Sequence, residues 1–121
     1  MNNQLDDTKP IFLQIKENIE DSIINGSLKA GEKVPSTNEF AAFYKINPAT
    51  AAKGVNELVT EEIIFKRRGV GMFVTENARE LLITKYKANF YEEYIKPLKQ
   101  AAEKLDIDEE ELAEMLADKK R

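Results

Sequence analysis

Ser36-Thr37-Asn38-Glu39-Phe40-Ala41-Ala42-Phe43-Tyr44-Lys45-Ile46-Asn47-Pro48-Ala49-Thr50 is the stretch that decides the fold. Ser36 has the character of a helix N-cap, and Glu39 three residues later completes a capping box. The helix it opens is expected over Thr37 to Tyr44, burying Phe40, Ala41 and one of Phe43 or Tyr44. Lys45-Ile46 interrupts it. Asn47 then caps a second helix, with Pro48 in the first turn, where a missing N–H costs nothing. This helix is expected to reach about Glu61 or Glu62. Ala51, Val55, Leu58 and Val59 form its inward stripe, and Ala49, Thr50, Lys53, Asn56 and Glu57 lie opposite. Two short helices with a tight joint make a helix-turn-helix.

Working outward, Phe12, Ile15, Ile19 and Ile23 recur at helical spacing between Pro10 and Asn25, while Lys16, Glu17, Glu20 and Asp21 fill the other face. Asn25-Gly26 stops this helix. Gly31 and Pro35 mark a turn and an extended piece, with Leu28 and Val34 as inward anchors. Beyond the second short helix the period changes from helical to alternating. Ile63 to Arg68 and Met72 to Thr75 are β-prone runs around Gly69-Val70-Gly71, a tight turn with two residues that tolerate positive φ. The fold class expected is therefore mostly α with a small β-hairpin (α+β). It is a winged helix-turn-helix over residues 1–75, followed by a helical region over 76–121.

In that second region Leu82 or Ile83, then Tyr86, Phe90, Tyr94, Leu98, Ala101 and Leu105 step along one helical stripe. Pro97 predicts a kink or break at about Tyr94 to Lys96. Leu105-Asp106-Ile107 reads as a turn. Asp108 caps a last helix with a narrow stripe of Leu112, Met115 and Leu116. Glu109, Glu110 and Glu111 sit in its first turn, and Lys119, Lys120 and Arg121 are expected in its last. A stripe this long exceeds what a small winged helix can cover, so the surplus apolar face needs a partner. Leu82, Tyr86, Phe90, Tyr94, Leu98, Leu105, Leu112, Met115 and Leu116 are the residues expected at that interface.

Composition narrows the function. The 121 residues contain no His, Cys or Trp. Zinc fingers, thiolate enzymes and Ser–His–Asp hydrolases each lose an essential group. Adjacent carboxylates such as Glu61-Glu62 point apart on a helix, so no acid–base pair forms. The chain is read as a non-enzyme with no cofactor and no metal site. The N-terminal residues lack the basic and apolar regions of a signal peptide, and no apolar run is long enough to span a membrane. A cytoplasmic location is expected, with no membrane partner. The net charge is −4. Its distribution matters more: residues 76–121 hold 9 basic against 12 acidic side chains, whereas residues 45–75 hold 5 against 3. The helix-turn-helix surface is thus mildly basic within an acidic chain.

Residues 10–74 resemble the winged-helix domain of the GntR family of bacterial transcription regulators. The resemblance rests on Pro10-Ile11-Phe12-Leu13-Gln14-Ile15, on the run from Asn25 to Ser36, on Ile46-Asn47-Pro48-Ala49-Thr50 and on the run from Lys66 to Val74. The short helical tail and Asn47-Pro48 are similar to the YtrA subfamily. The resemblance implies a homodimer formed by the tail helices, which makes that apolar stripe a dimer interface, and a double-stranded DNA operator with two-fold symmetry. It also implies repression, commonly of the regulator's own operon with transporter genes, and leaves room for a small-molecule effector of unspecified chemistry. The sequence departs from the family pattern at several contacts. Asn38 stands where the family usually has Arg, Asn47-Pro48 replaces Ser-Arg, Ala52-Lys53 replaces paired Arg, and Val70 replaces the Arg of a Gly-Arg-Gly wing.

The expected DNA-binding residues follow from the motif. Ser36, Thr37 and Asn38 lie at a helix N-terminus, where phosphate is favoured. Asn47, Ala49, Thr50 and Lys53 lie near the start of the helix that normally enters the major groove. Arg67 and Arg68 offer guanidinium groups from the wing, and Gly69 and Gly71 allow close backbone approach. The alternative reading is a winged-helix protein-interaction module without DNA function, motivated by the absent arginines and the acidic total.

Overall fold

The computed structural model describes residues 5–117. The chain divides into two compact units, 1–84 and 85–121. The first contains α1 (Ile11–Ile24), β1 (Lys33–Val34), α2 (Thr37–Tyr44), α3 (Pro48–Thr60), β2 (Ile64–Arg67) and β3 (Gly71–Val74). Helix α4 (Ala78–Phe90) begins in it and continues into the second unit. There a π-helical turn (Tyr91–Ile95), α5 (Lys96–Lys104) and α6 (Glu109–Ala117) follow.

The core of the first unit is the meeting of α1 with α3 and of α2 with α3. Ile15, Ile19, Ala51, Val55 and Leu58 are fully buried. Gly54 sets the distance between α1 and α3, for a Cβ there would lie 2.5 Å from the Phe12 carbonyl oxygen. That is backbone, so it cannot swing aside. One turn beyond Phe12, the buried Lys16 reaches from α1 to Glu57 at 3.4 Å and Glu61 at 2.5 Å on α3. Burial alone pushes the Lys16 ammonium pKa down. The hydrogen bond and charge of Glu61, followed by the hydrogen bond of Glu57, outweigh it and hold the pKa above its ordinary value. The sequence pattern assigns Lys16 and Glu20 to the solvent face of α1, but both are buried. The reason for Lys16 is this pairing across helices, which periodicity along one helix does not register.

Helix α2 is capped as its sequence dictates. The Ser36 hydroxyl accepts from the Glu39 N–H at 3.1 Å, and the Glu39 carboxylate accepts from the Ser36 N–H at 2.8 Å. Of the two aromatic candidates for its inner face, Tyr44 is buried and takes a hydrogen bond from Asn18 of α1, while Phe43 is exposed. Helices α2, α3 and α5 end in one way. Lys45, Glu62 and Asp106 take φ values of 57°, 62° and 57°, and the next N–H reaches back to Ala41, Leu58 and Ala102 respectively. These are Schellman closures made without glycine.

The hairpin proves to be part of a three-stranded antiparallel sheet in the order β1-β3-β2. Lys33 pairs with Phe73 and Val34 with Met72 on one side of β3. Ile64, Phe65, Lys66 and Arg67 pair with Val74, Phe73, Met72 and Gly71 on the other. The extended piece before Pro35 is thus a strand. It is too short for alternation to reveal, and β3 supplies the hydrogen bonds that define it.

The end of the first unit lies later than residue 75. Ala78 and Leu82 are buried, and the Arg79 side chain donates to the carbonyl of Ile24 at the end of α1. A cation there satisfies an open carbonyl and suits the helix dipole. Leu82, expected at a dimer interface, is fully buried and offers no surface. It shares helical spacing with the tail stripe, but burial rather than phase decides its role.

In the second unit the helix does not break at Pro97. It widens into the π-helical turn just before it, and the N–H of Lys96 bonds to the carbonyl of Tyr91. Proline lacks a donor and its ring crowds the preceding turn, so one wider turn absorbs the fault and the helix continues. Asp108 caps α6 by accepting from the Glu111 N–H at 2.8 Å. The expected last-turn cations Lys119, Lys120 and Arg121 lie outside the described residues.

Gly54→Ala is expected to cost about 1–3 kcal/mol through overpacking, read as a lower urea midpoint at unchanged slope. A raised folded-state Lys16 pKa means stability present below its ordinary value of 10.5 and lost as pH rises through the raised value. The wild-type urea midpoint should therefore fall above that pH by more than that of Lys16→Met.

Candidate nucleic-acid interface

The surface of the first unit is built from three local structures. The first is the N-terminus of α2. Its capping box uses the Ser36 N–H and the Glu39 N–H. Hydrogen bonds from the Ser36 backbone and then its side chain hold the Glu39 carboxyl below the usual carboxylate range, with a smaller contribution from Lys33. Ser36 and Asn38 are exposed, and Thr37 is partly so. The N–H groups of Thr37 and Asn38 in the first turn remain the donors an anion would meet, since the Ser36 hydroxyl and the Glu39 N–H are engaged in the cap.

The second is the start of α3. Asn47 accepts from the Ala49 N–H at 2.8 Å, which fixes the first turn around Pro48. The face opposite the buried Ala51, Gly54, Val55 and Leu58 carries Ala49, Lys53, Asn56 and Thr60, all exposed, with Thr50 half-buried at its edge. The Lys53 ammonium stands 4.0 Å from the centre of the Phe12 ring. That contact holds the charge at the α1–α3 seam, and reaching a base or phosphate would require leaving the ring. Exchanging a cation–π contact at an exposed site costs about 0.5–1 kcal/mol, which one charge-assisted hydrogen bond offsets.

The third is the wing. Gly69 and Gly71 both have positive φ, 79° and 138°, and the Val70 N–H bonds back to the Arg67 carbonyl at 2.9 Å. The turn therefore needs both glycines. The basic triplet does not act as one group. Arg67 lies over Phe73 at 5.0 Å and Phe65 at 6.0 Å. Lys66 pairs with Met72, on the other face of the sheet, and Arg68 lies in the turn. The sequence reading passes over the aromatic platform beneath Arg67, although Phe65 and Arg67 stand two apart on one strand. It also passes over Lys33, whose place in the wing depends on the third strand.

Among the described residues no cluster of potential metal ligands occurs, and no helix is long and apolar enough to cross a membrane.

A capped two-helix turn beside a glycine-tipped basic wing defines a winged-helix DNA-binding domain. The model of the bacterial regulatory proteins of the gntR family matches residues 12–74, and the chain belongs to that family. It is 32% identical over 114 residues to the uncharacterized HTH-type transcriptional regulator YhcF of Bacillus subtilis (strain 168), covering 94% of this chain and 93% of that one. It is 34% identical over 107 residues to the HTH-type transcriptional repressor YtrA of the same organism, covering 88% and 82%. A GntR family transcriptional regulator from Listeria monocytogenes superposes with a TM-score of 0.79 at 31% identity, over 96% of this chain and 100% of that one. The AraR DNA-binding domain in complex with an operator superposes with a TM-score of 0.54 at 26% identity, over 62% and 92%. The chain is thus a GntR-type transcriptional regulator carrying a DNA-binding winged helix. Its relatives form a non-enzymatic family that includes YtrA, in keeping with the subfamily read from the tail and from Asn47-Pro48.

Ser36→Ala should remove the α2 cap at a cost of about 1 kcal/mol. Thermal melts of the full chain check this, and an unchanged midpoint would mean that the cap is not what holds the start of α2.

Proposed function

We propose that the chain is a cytoplasmic homodimeric repressor that binds an operator with two-fold symmetry. The carrying observation is the apolar surface of the second unit. Phe90, Tyr91, Tyr94, Leu105, Met115 and Leu116 are between 41% and 68% exposed, and Ala102 alone is buried among the described residues there. Completing the burial of a half-exposed side chain of this size contributes about 1 kcal/mol, so six together favour association clearly. Tyr86, Leu98 and Leu112 are half-buried and extend the same surface. A second copy is the occupant proposed, since two winged helices on one duplex need a fixed spacing of one helical turn or a multiple of it.

In this reading Asn47, Ala49, Thr50 and Lys53 serve the major groove. Ser36, Thr37 and Asn38 serve phosphate, and Arg67, Arg68, Gly69 and Gly71 serve the backbone or the minor groove. With Asn38, Pro48 and Val70 at positions where the family usually has Arg, fewer charged contacts are available and the operator differs from those of arginine-rich relatives. Repression follows from occupying a promoter, with the chain's own operon and transporter genes as proposed targets. An effector would act by binding two arrangements of the dimer with different affinity.

Selection of the full-length protein against a random duplex library should enrich an inverted repeat. Recovery of no enriched repeat would overturn the operator reading. A fragment of residues 1–84, which retains the buried Leu82, should be monomeric by light scattering and bind the selected duplex far more weakly. A fragment of dimer mass would remove the tail from the interface.

A further inference from the structure

The wing sheet sorts its side chains by register. Lys33 and Phe65 both pair with Phe73, and Arg67 pairs with Gly71. Cross-strand partners share a face, as do residues two apart on a strand. Lys33, Phe73, Phe65, Arg67 and the bare backbone of Gly71 therefore lie on one face. The buried Val34, Ile64 and Val74 mark the opposite, inward face.

Two cations lie on that outer face. A Cβ at Gly71 would lie 2.8 Å from Lys33 Cε and 3.6 Å from its Nζ, so the Lys33 side chain runs across β3 at the residue directly opposite Arg67. The Arg67 guanidinium reaches back over the Phe73 ring between them at 5.0 Å. Among the described residues neither cation has a carboxylate within salt-bridge distance. The carboxylate that senses Lys33 is Glu39, which is engaged in capping α2. Two like charges on one face without a counter-ion favour a bound anion there. Stacking on Phe73 and Phe65 restricts Arg67 beforehand, so less side-chain entropy is lost when it binds. Lysine and arginine offer donors only, which suits the two unbridged oxygens of a phosphodiester.

We propose that Lys33 and Arg67 form a clamp for a single backbone phosphate of duplex DNA, with the bare backbone of Gly71 letting Lys33 lie across β3. Lys33 is then a DNA-contacting residue of the wing although it lies more than thirty positions before Arg67 in sequence. The clamp lies near the α2 cap Ser36, three residues beyond Lys33, so wing and helix N-terminus would present one surface to the strand. This inference rests on the DNA-binding reading.

The test is fluorescence anisotropy of the full chain on a mixed-sequence duplex at low salt. Lys33→Ala and Arg67→Ala should each weaken binding about fivefold, the scale of one exposed charge contact. The double variant should lose less than the product of the two, because both hold one phosphate. Lys33→Arg should restore most of the affinity. Lys29→Ala, which alters a cation outside the wing, should bind as wild type. If Lys33→Ala also binds as wild type, the clamp is wrong. Losses that multiply would place the two cations on separate phosphates and overturn the shared site. Failure of the wild type itself to bind any duplex would overturn the DNA-binding reading, and the clamp with it.

Discussion

The close approach of α1 and α3 at Gly54 is the constraint on which the rest of the first unit depends. A helix residue without a side chain lets the Phe12 carbonyl come to a distance that no Cβ tolerates. That approach brings Ile15 and Ile19 against Val55 and Leu58, all fully buried. It also places Lys16 where Glu57 and Glu61 can hold it. Helix α3 is therefore located by its inner face, and its outer face is presented as a consequence. The exposed row of Ala49, Lys53, Asn56 and Thr60 contributes little to stability and is free to serve recognition.

The same division of labour runs through the wing. Val34, Ile64 and Val74 anchor the sheet, while Lys33, Phe65, Phe73 and Arg67 cover its outer face. An acidic chain can bind DNA if its cations are gathered and its carboxylates are engaged elsewhere. Glu57 and Glu61 are turned to Lys16, and Glu39 to the cap of α2. The net charge of −4 therefore describes the chain and not the surface proposed to meet the duplex.

Much of the fold is legible in the sequence where the determining interactions are local. The capping box at Ser36, the Asn47-Pro48 start of α3, the Gly69-Val70-Gly71 turn and the Asp108 cap depend on neighbours within a few residues, and each forms as read. Expectation and structure part where a distant element intervenes. Strand β1 exists because β3 pairs with it, Lys16 is buried because α3 carries its partners, and Leu82 is buried where helical phase alone suggests a surface. At Pro97 the fault was visible but its remedy was not. A π-helical turn and a break answer the same missing donor, and packing and chain geometry choose between them.

The winged helix-turn-helix and its family are legible in the chain alone, because caps and turns are properties of short segments. Only the tertiary structure decided which basic residues share a face. It separated Arg67 from Lys66, joined Arg67 to Lys33 across Gly71, and moved Leu82 from surface to core. The physical reason is that register and helix approach are set by contacts between distant segments, and a one-dimensional pattern carries the period of each element without its partner.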